Sequence, residues 1–333
     1  MSDVVVARPV LEGARASEAA FEGFVRAGAT VEMKAFTGVT GDAGGFAVPK
    51  EIDAVIDAAL KSASPIRRIA NVVKVGTSGY RKLVTTGGTP SGWAAETQGR
   101  PETATPVFNE IAPPMGELYA NPSASQAMLD DAAFDVEEWL AGEIALEFAK
   151  AEGAAFVNGT GVNRPKGFLT YATSASADAA RGFGTLQHLA TGSASDLGAG
   201  FAERLVDLVH SLRAPYRQGA CFVMNAATLA RIRKLKTGDG AFLWQPSLQG
   251  GQPATLLGYP VVEAEDMPDV AANALPVAFG NFRAGYVVAE RSETAILRDP
   301  YSNKPFVSFY ATKRVGGALV NSEAIKLIKV ATA

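Results

Sequence analysis

The chain contains few side chains of the kinds that perform catalysis or bind metal ions. Its two histidines, His188 and His210, have no cysteine or carboxylate near them at metal-ligand spacing, so the sequence predicts no metal site. The single cysteine, Cys221, lies in an apolar run and is typical of a small buried hydrophobe. No G-x-S-x-G turn, Walker A loop or H-E-x-x-H helix is present. We therefore expect no catalytic residues, no metal, no cofactor and no enzymatic activity.

One glycine-rich segment, residues 159–167, has part of the composition of a phosphate-binding loop. However, Pro165 removes a backbone donor directly before Lys166, and no serine or threonine follows Lys166 to bind magnesium. We interpret the segment as a structural turn.

The composition is that of a soluble protein with a sizeable core. The chain has 333 residues, of which 47% are hydrophobic, and its 31 basic and 34 acidic side chains give a net charge of −3. This balance argues against a dedicated nucleic-acid-binding domain, although a protein can enclose nucleic acid without binding it tightly. The sequence shows no membrane span and no signal peptide, so we expect a cytoplasmic protein.

Periodic apolar residues predict the elements that would hold these groups. The longest helix is predicted from Ser125 to about Glu152, with Val136, Leu140 and Ile144 facing the core. Shorter helices are predicted at 17–27, from Pro49 to before Pro65, at 202–212 and at 226–236. Strands are predicted at 220–224, 259–263, 276–280, 286–289, 295–297, 306–314 and 325–330.

The segment from Gly76 to Glu117 differs from the rest of the chain. It is polar and rich in glycine, threonine and proline, and its large apolar residues, such as Trp93 and Phe108, follow no dense pattern. Its β-prone ends, 80–86 and 107–111, predict a two-stranded ribbon, which is at best marginally stable alone. The segment is therefore either disordered or completed by another chain. We expect removal of residues 77–116 to leave a folded protein.

Short motifs in a fixed order extend over nine-tenths of the chain. They are Asp42–Pro49, Ser64–Arg67, Trp93 with Glu96, Asn158–Gly161, Pro165–Leu169, Met224–Asn225 with Thr228, Leu243–Pro246, Leu257–Val261, Phe279–Phe282 and Arg298–Tyr301. In these motifs the chain resembles the tailed-bacteriophage major capsid proteins of the Hong Kong 97 type.

This resemblance implies an α+β fold with a defined division of the chain. It comprises an N-terminal arm (1–48), a peripheral domain (49–75, 118–197 and 289–333) with the long helix as its spine, an extended two-stranded loop (76–117) and an axial domain (198–288). The resemblance also implies contacts of the arm and the extended loop with neighbouring subunits. The candidate contact residues are Phe46, Val48, Lys82, Trp93, Glu96, Arg100 and Trp244.

Some members of this family join their subunits by Lys–Asn isopeptide bonds. Lys82, together with Asn321 and Glu323, has suitable residue types, but such residues are common on surfaces and we do not expect the bond. Many members also begin with a scaffolding segment of roughly a hundred residues that a protease removes, whereas only 34 residues precede Ala35 here. The chain is thus a mature form, a truncated form or a shell protein with separate scaffolding.

The function implied is self-assembly into hexamers and pentamers of an icosahedral shell around double-stranded DNA held without sequence specificity. The implied partners are further copies of the chain, a portal, and scaffolding, protease or decoration proteins, with no membrane involved. The particle could be a phage or a gene transfer agent, assembled in a bacterial cytoplasm. The alternatives are an encapsulin-type compartment and a soluble α/β enzyme within residues 198–288.

Overall fold

The computed structural model describes residues 64–76, 79–86, 91–100, 102–131, 136–198, 200–235, 255–291 and 295–332. The predicted arm with its helix at 17–27, the helix predicted from Pro49 to before Pro65, and the residues Phe46, Val48 and Trp244 lie outside these residues. The described chain mixes helices with β-sheets, so the α+β fold class is confirmed. No helix in this part of the chain is long and apolar enough to span a membrane.

The described helices are α1 (Pro65–Ile69), α2 (Gln126–Asp131), α3 (Val136–Asn158), α4 (Phe201–Ser211), α5 (Ala214–Arg217), α6 (Ala226–Arg233) and α7 (Phe282–Gly285). The strands are β1 (Asn71–Val75), β2 (Lys82–Thr86), β3 (Val107–Ile111), β4 (Met115–Ala120), β5 (Ser123–Ser125), β6 (Thr173–Ser174), β7 (Leu186–Ala190), β8 (Cys221–Met224), β9 (Thr255–Leu256), β10 (Tyr259–Glu263), β11 (Val277–Gly280), β12 (Tyr286–Arg291), β13 (Ala295–Asp299), β14 (Phe306–Leu319) and β15 (Ile325–Lys329).

The described residues fall into two compact units. The first unit comprises residues 119–145 and 295–313, and the second comprises 64–118, 146–291 and 314–332. The chain passes from one unit to the other within β4, α3 and β14.

In the first unit, helices pack on one face of a small sheet. β13 and β5 both pair antiparallel with the N-terminal part of β14. Burial alternates along this part of β14, so Val307 and Phe309 point to the covered face. There they form an apolar cluster with residues of α2 and α3, namely Leu129, Val136 and the partly buried Leu140. Val136 and Leu140 lie in this cluster and Ile144 is buried, so the predicted core face of the long helix is confirmed. The described residues of the predicted helix form α2 and α3, with 132–135 outside the described residues, and α3 ends at Asn158 rather than near Glu152.

Replacing Leu140 with aspartate is expected to lower the free energy of unfolding by about 2–3 kcal/mol, because the carboxylate would lose hydration in this cluster. Leu146→Asp, at an exposed position of the same helix, is the matched control and should change stability by no more than about 0.5 kcal/mol. Urea denaturation of unassembled subunits measures both effects. Equal losses for the two variants would contradict the assigned helix face.

Seven strands of the second unit form one sheet in the order β6-β7-β15-β11-β8-β10-β9. β11 runs antiparallel to both neighbours, whereas β7 is parallel to β15 and β10 is parallel to β8. β8 and β11 are buried along their whole length. Strands covered on both faces give near-continuous apolar runs, which is why these segments lack the alternation of a half-exposed strand.

Alternate residues of this sheet pack into two different clusters. Phe222 and Met224 face one side, where α4 and α6 contribute Phe201, Leu205, Leu208, Leu229 and Ile232. Cys221 and Val223 face the other side, which is filled by Ile66, Phe156, Phe168, Phe282 and Tyr286. The sheet therefore forms the centre of the second unit.

A further group of strands in the second unit supports the ribbon described below. β1 pairs parallel with β12, and β12 pairs antiparallel with the C-terminal part of β14. Residues of these strands and of the turn after β14 form a small apolar cluster, namely Val73, Val287, Ala318 and Val320.

Candidate assembly surface

β2 and β3 form a separate two-stranded sheet, and we use "ribbon" for these strands and the segment between them. The strands are antiparallel, with Lys82 opposite Ile111 and Thr86 opposite Val107. Side chains alternate between the two faces of such a pair, so the ribbon has an inner face with Val84 and Ile111 and an outer face with Leu83 and Phe108.

The inner face packs on its own subunit. Val84 and Ile111 are partly buried against the cluster of Val73, Val287 and Val320. The sequence pattern does not predict this contact. Val73 is near in the chain, but Val287 and Val320, which complete the cluster, lie about two hundred residues from Val84.

The outer face exposes its large apolar side chains. Leu83 is 69% exposed and Phe108 is 62% exposed, and they occupy diagonal positions on the two strands. The neighbouring Arg81 pairs with Glu110 at 2.9 Å, but both side chains are largely in water. Large apolar groups that stay exposed on a defined face mark a surface that another molecule can cover.

The segment between the strands carries the predicted contact residues. Trp93 is fully exposed, and Glu96 and Arg100 are exposed as well. A turn forms nearby, where the amide of Gln98 donates to the carbonyl of Ala95 at 3.1 Å. Lys82 lies half-buried at the start of β2. A role of these residues in subunit contacts stays a prediction, as it does for Phe46, Val48 and Trp244.

Asn321 and Glu323 have partners within their own subunit. The side-chain amide of Asn321 donates to the hydroxyl of Tyr216 at 2.8 Å, and its carbonyl accepts from the amide of Glu323 at 2.9 Å. The Glu323 carboxylate pairs with Arg213 at 3.1 Å. Both polar atoms of the Asn321 side chain are thus hydrogen-bonded within the subunit, one in a local turn and one to a residue distant in the chain.

A second group of exposed apolar side chains lies on the first unit. Leu297 of β13 and Tyr310 of β14 are direct cross-strand partners on the face of the sheet opposite to Val307 and Phe309. Phe306 is exposed on the same face, and Tyr301 is exposed in the preceding turn. Sequence analysis did not select this surface, because β14 has aromatic residues on both of its faces. The alternation of side chains therefore does not show which face is exposed.

Two groups of buried charges hold elements of the second unit together. In the first, Arg67 of α1 pairs with Glu152 of α3 at 3.1 Å and also with Glu290 of β12. The three side chains are only 2%, 0% and 6% exposed. One guanidinium thus joins a helix, a second helix and a strand within the core.

In the second group, Asp178 accepts from both Arg181 and Lys326. The Lys326 ammonium also donates to the side chain of Gln187 at 2.8 Å. Burial lowers the pKa of Lys326, and its hydrogen bond to Asp178 opposes that shift. This group fixes the turn at 176–184 against β7 and β15.

The described residues hold no group of three or more His, Cys, Asp or Glu side chains placed to bind a metal ion. Cys221 is buried in β8, and burial raises the pKa of its thiol to about 12. Burial also lowers the pKa of His188, with a smaller contribution from Lys329.

A model of the phage capsid family matches residues 44–330 of the chain. No curated protein matches the sequence at a significant level.

Several solved structures are similar to the chain. The capsid of a native GTA (gene transfer agent) particle is 47% identical, with 89% of this chain and 96% of that chain covered and a TM-score of 0.75. The capsid of an empty GTA particle is 45% identical, with 91% and 98% covered and a TM-score of 0.76. A chain from Microbacterium phage Oxtober96 is 14% identical, with 90% and 98% covered and a TM-score of 0.59, a likeness that concerns the fold alone.

Proposed function

The chain belongs to the phage capsid family, and we propose that it builds the shell of a gene-transfer-agent-like particle around double-stranded DNA. It is a major capsid protein that self-assembles into the hexamers and pentamers of an icosahedral shell, and it is a structural protein rather than an enzyme.

The choice of a gene transfer agent over a phage rests on one observation. The chain is 47% identical to the capsid of a native GTA particle over 89% of its length, whereas the phage chain with the same fold is 14% identical. Family membership likewise favours a viral-type shell over an encapsulin-type compartment.

The net charge of −3 supports enclosure of DNA without tight binding. Strong phosphate contacts would require clustered basic residues. Such contacts would also oppose release of the DNA from the particle. We propose that the shell acts together with a portal, and with scaffolding, protease or decoration proteins, and that it assembles in the bacterial cytoplasm.

We assign the contacts between copies to the exposed apolar surfaces. The outer face and tip of the ribbon would contact a neighbouring subunit. The arm, residues 1–48, would also contact neighbouring subunits. The axial domain, residues 198–288, would lie around the five- and six-fold centres, and the remaining residues would form the peripheral domain. Burying Leu83, Phe108 and Trp93 on assembly would remove large apolar areas from water.

Purification of particles from the cells that encode the protein tests the proposal. We expect closed shells by electron microscopy and, inside them, nuclease-protected double-stranded DNA fragments drawn from the whole host genome. Packaged copies of a single phage genome would contradict the gene transfer agent assignment, and enzyme cargo without DNA would support the encapsulin-type alternative. A protein that remained a small oligomer would contradict the shell itself.

A further inference from the structure

We propose that Val84 and Ile111 are positioning residues that set the direction in which the ribbon leaves its own subunit. This inference rests on the proposed function, because the direction matters only if the ribbon must reach a particular place on a neighbour. Neither residue would touch the neighbour itself.

The contacts at the base of the ribbon point to these two residues. Val84 and Ile111 are the ribbon residues that pack on the apolar cluster of Val73, Val287, Ala318 and Val320. The ion pair between Arg81 and Glu110 is 65% and 44% exposed at its two ends, and exposed pairs of this kind contribute little. The inner face therefore supplies an apolar restraint on the ribbon's angle that this exposed ion pair does not replace.

Strand pairing alone does not fix that angle. An isolated two-stranded ribbon is marginally stable in water and its twist varies widely. A second, fixed surface is needed for the ribbon to have one orientation. In the second unit, that surface is formed by β1, β12 and the end of β14, which are themselves joined by strand pairing.

The length of the ribbon makes its angle important. β2 spans about 17 Å, and the 20 residues 87–106 can extend it by at most about 33 Å, since half of them must lead back. A rotation of 10° at the base would then move the tip by about 9 Å. Apolar side chains must approach within about 4.5 Å to be in contact, so such a rotation would separate the tip from its site.

A distance measurement on unassembled subunits tests this role directly. Spin labels are attached to Cys residues introduced by Ala94→Cys near the tip and Glu203→Cys on α4, both exposed positions. Cys221 can stay in place, because it is buried and its thiol is protonated at neutral pH. The inner-face pair Val84→Thr with Ile111→Thr is compared with the outer-face pair Leu83→Thr with Phe108→Thr on the same strands.

We expect the inner-face variant to melt cooperatively but to give a wider label–label distance distribution than the parent and to lose particles of normal diameter. A spread of 10° in the ribbon's angle would widen the distribution by up to about 9 Å. The outer-face variant should keep the narrow distribution of the parent. The volume-conserving variant Val84→Ile with Ile111→Val should restore both the distribution and the particles.

Two results would overturn the inference: a narrow distribution in the inner-face variant, or a wide one that still gives normal particles. Absence of particles from the unsubstituted protein would instead contradict the proposed function. The distance measurement would still test whether Val84 and Ile111 set the ribbon's angle, because it is made on unassembled subunits.

Discussion

Replacing residues 87–106 with Asn-Gly is expected to give a folded subunit that forms no shells. Thr86 and Val107 are directly paired, and an Asn-Gly dipeptide closes such a pair with a type I′ turn. The variant keeps Val84 and Ile111 on the inner face, so the core of the second unit is retained. It removes the exposed Trp93, Glu96 and Arg100, which we propose as contacts.

The loss of assembly should be complete rather than partial. A stable protein interface buries about 1,200–2,000 Å² in total, and a long hairpin can supply much of it. Even a loss of about 1–2 kcal/mol per contact changes an equilibrium by a factor of about 5–30, and a closed shell repeats that contact in every subunit.

Sedimentation and electron microscopy measure shell formation, and circular dichroism with urea denaturation measures folding. Normal particles from this variant would mean that the tip is dispensable. Loss of cooperative unfolding would mean that residues 87–106 belong to the core. Removal of residues 77–116, which the sequence pattern predicts to be compatible with folding, is a poorer test, because it would also remove Val84 and Ile111 from their cluster.

Arg67→Met is expected to lower the free energy of unfolding by about 3–5 kcal/mol, the usual cost of removing one partner of a buried ion pair. Arg67 faces two carboxylates, those of Glu152 and Glu290, so the upper end of this range is expected. The variant leaves both buried negative charges without their shared guanidinium.

Three comparisons isolate the ionic contribution. Arg68→Met, at the exposed neighbouring position of α1, should change stability by no more than about 0.5 kcal/mol. Arg67→Lys keeps the positive charge, but an ammonium group lacks the planar fork of donors with which a guanidinium can bind both carboxylates. The expected loss of unfolding free energy therefore lies between those of Arg68→Met and Arg67→Met. Replacing Arg67, Glu152 and Glu290 together with methionine should recover much of the loss, because all three buried charges of this group are then absent. Urea denaturation of unassembled subunits measures these changes. Equal denaturation midpoints for Arg67→Met and Arg68→Met would contradict a contribution of this charged group to the stability of the subunit.

The sequence predicts elements well where one physical signal dominates. The run Tyr259–Glu263 forms β10 as predicted, and the helix predicted at 202–212 is observed at Phe201–Ser211, because its apolar residues share one face. The sequence pattern does not predict the strand β7, Leu186–Ala190. It is short and contains Gln187 and His188, and it becomes a strand through pairing with β6 and β15.

Long-range relations account for the remaining differences. That β15 lies between β7 and β11 depends on contacts between segments far apart in the chain, about 140 residues for β7 and about 50 for β11, which local periodicity does not encode. For the candidate surface, the β-prone ends at 80–86 and 107–111 correctly predicted the two-stranded ribbon. The covered inner face and the exposed pair of Leu297 and Tyr310 depend on what packs against each sheet face, and the sequence pattern does not specify it.

The burial of Cys221 has a consequence for the particle as a whole. With a thiol pKa of about 12, almost none of these groups is ionised near neutral pH, and the thiolate is the form that exchanges with disulfides. Cys221 is the single cysteine of the sequence. We therefore expect no disulfide between subunits through Cys221, so this residue should not make the integrity of the shell depend on whether the medium is reducing or oxidising.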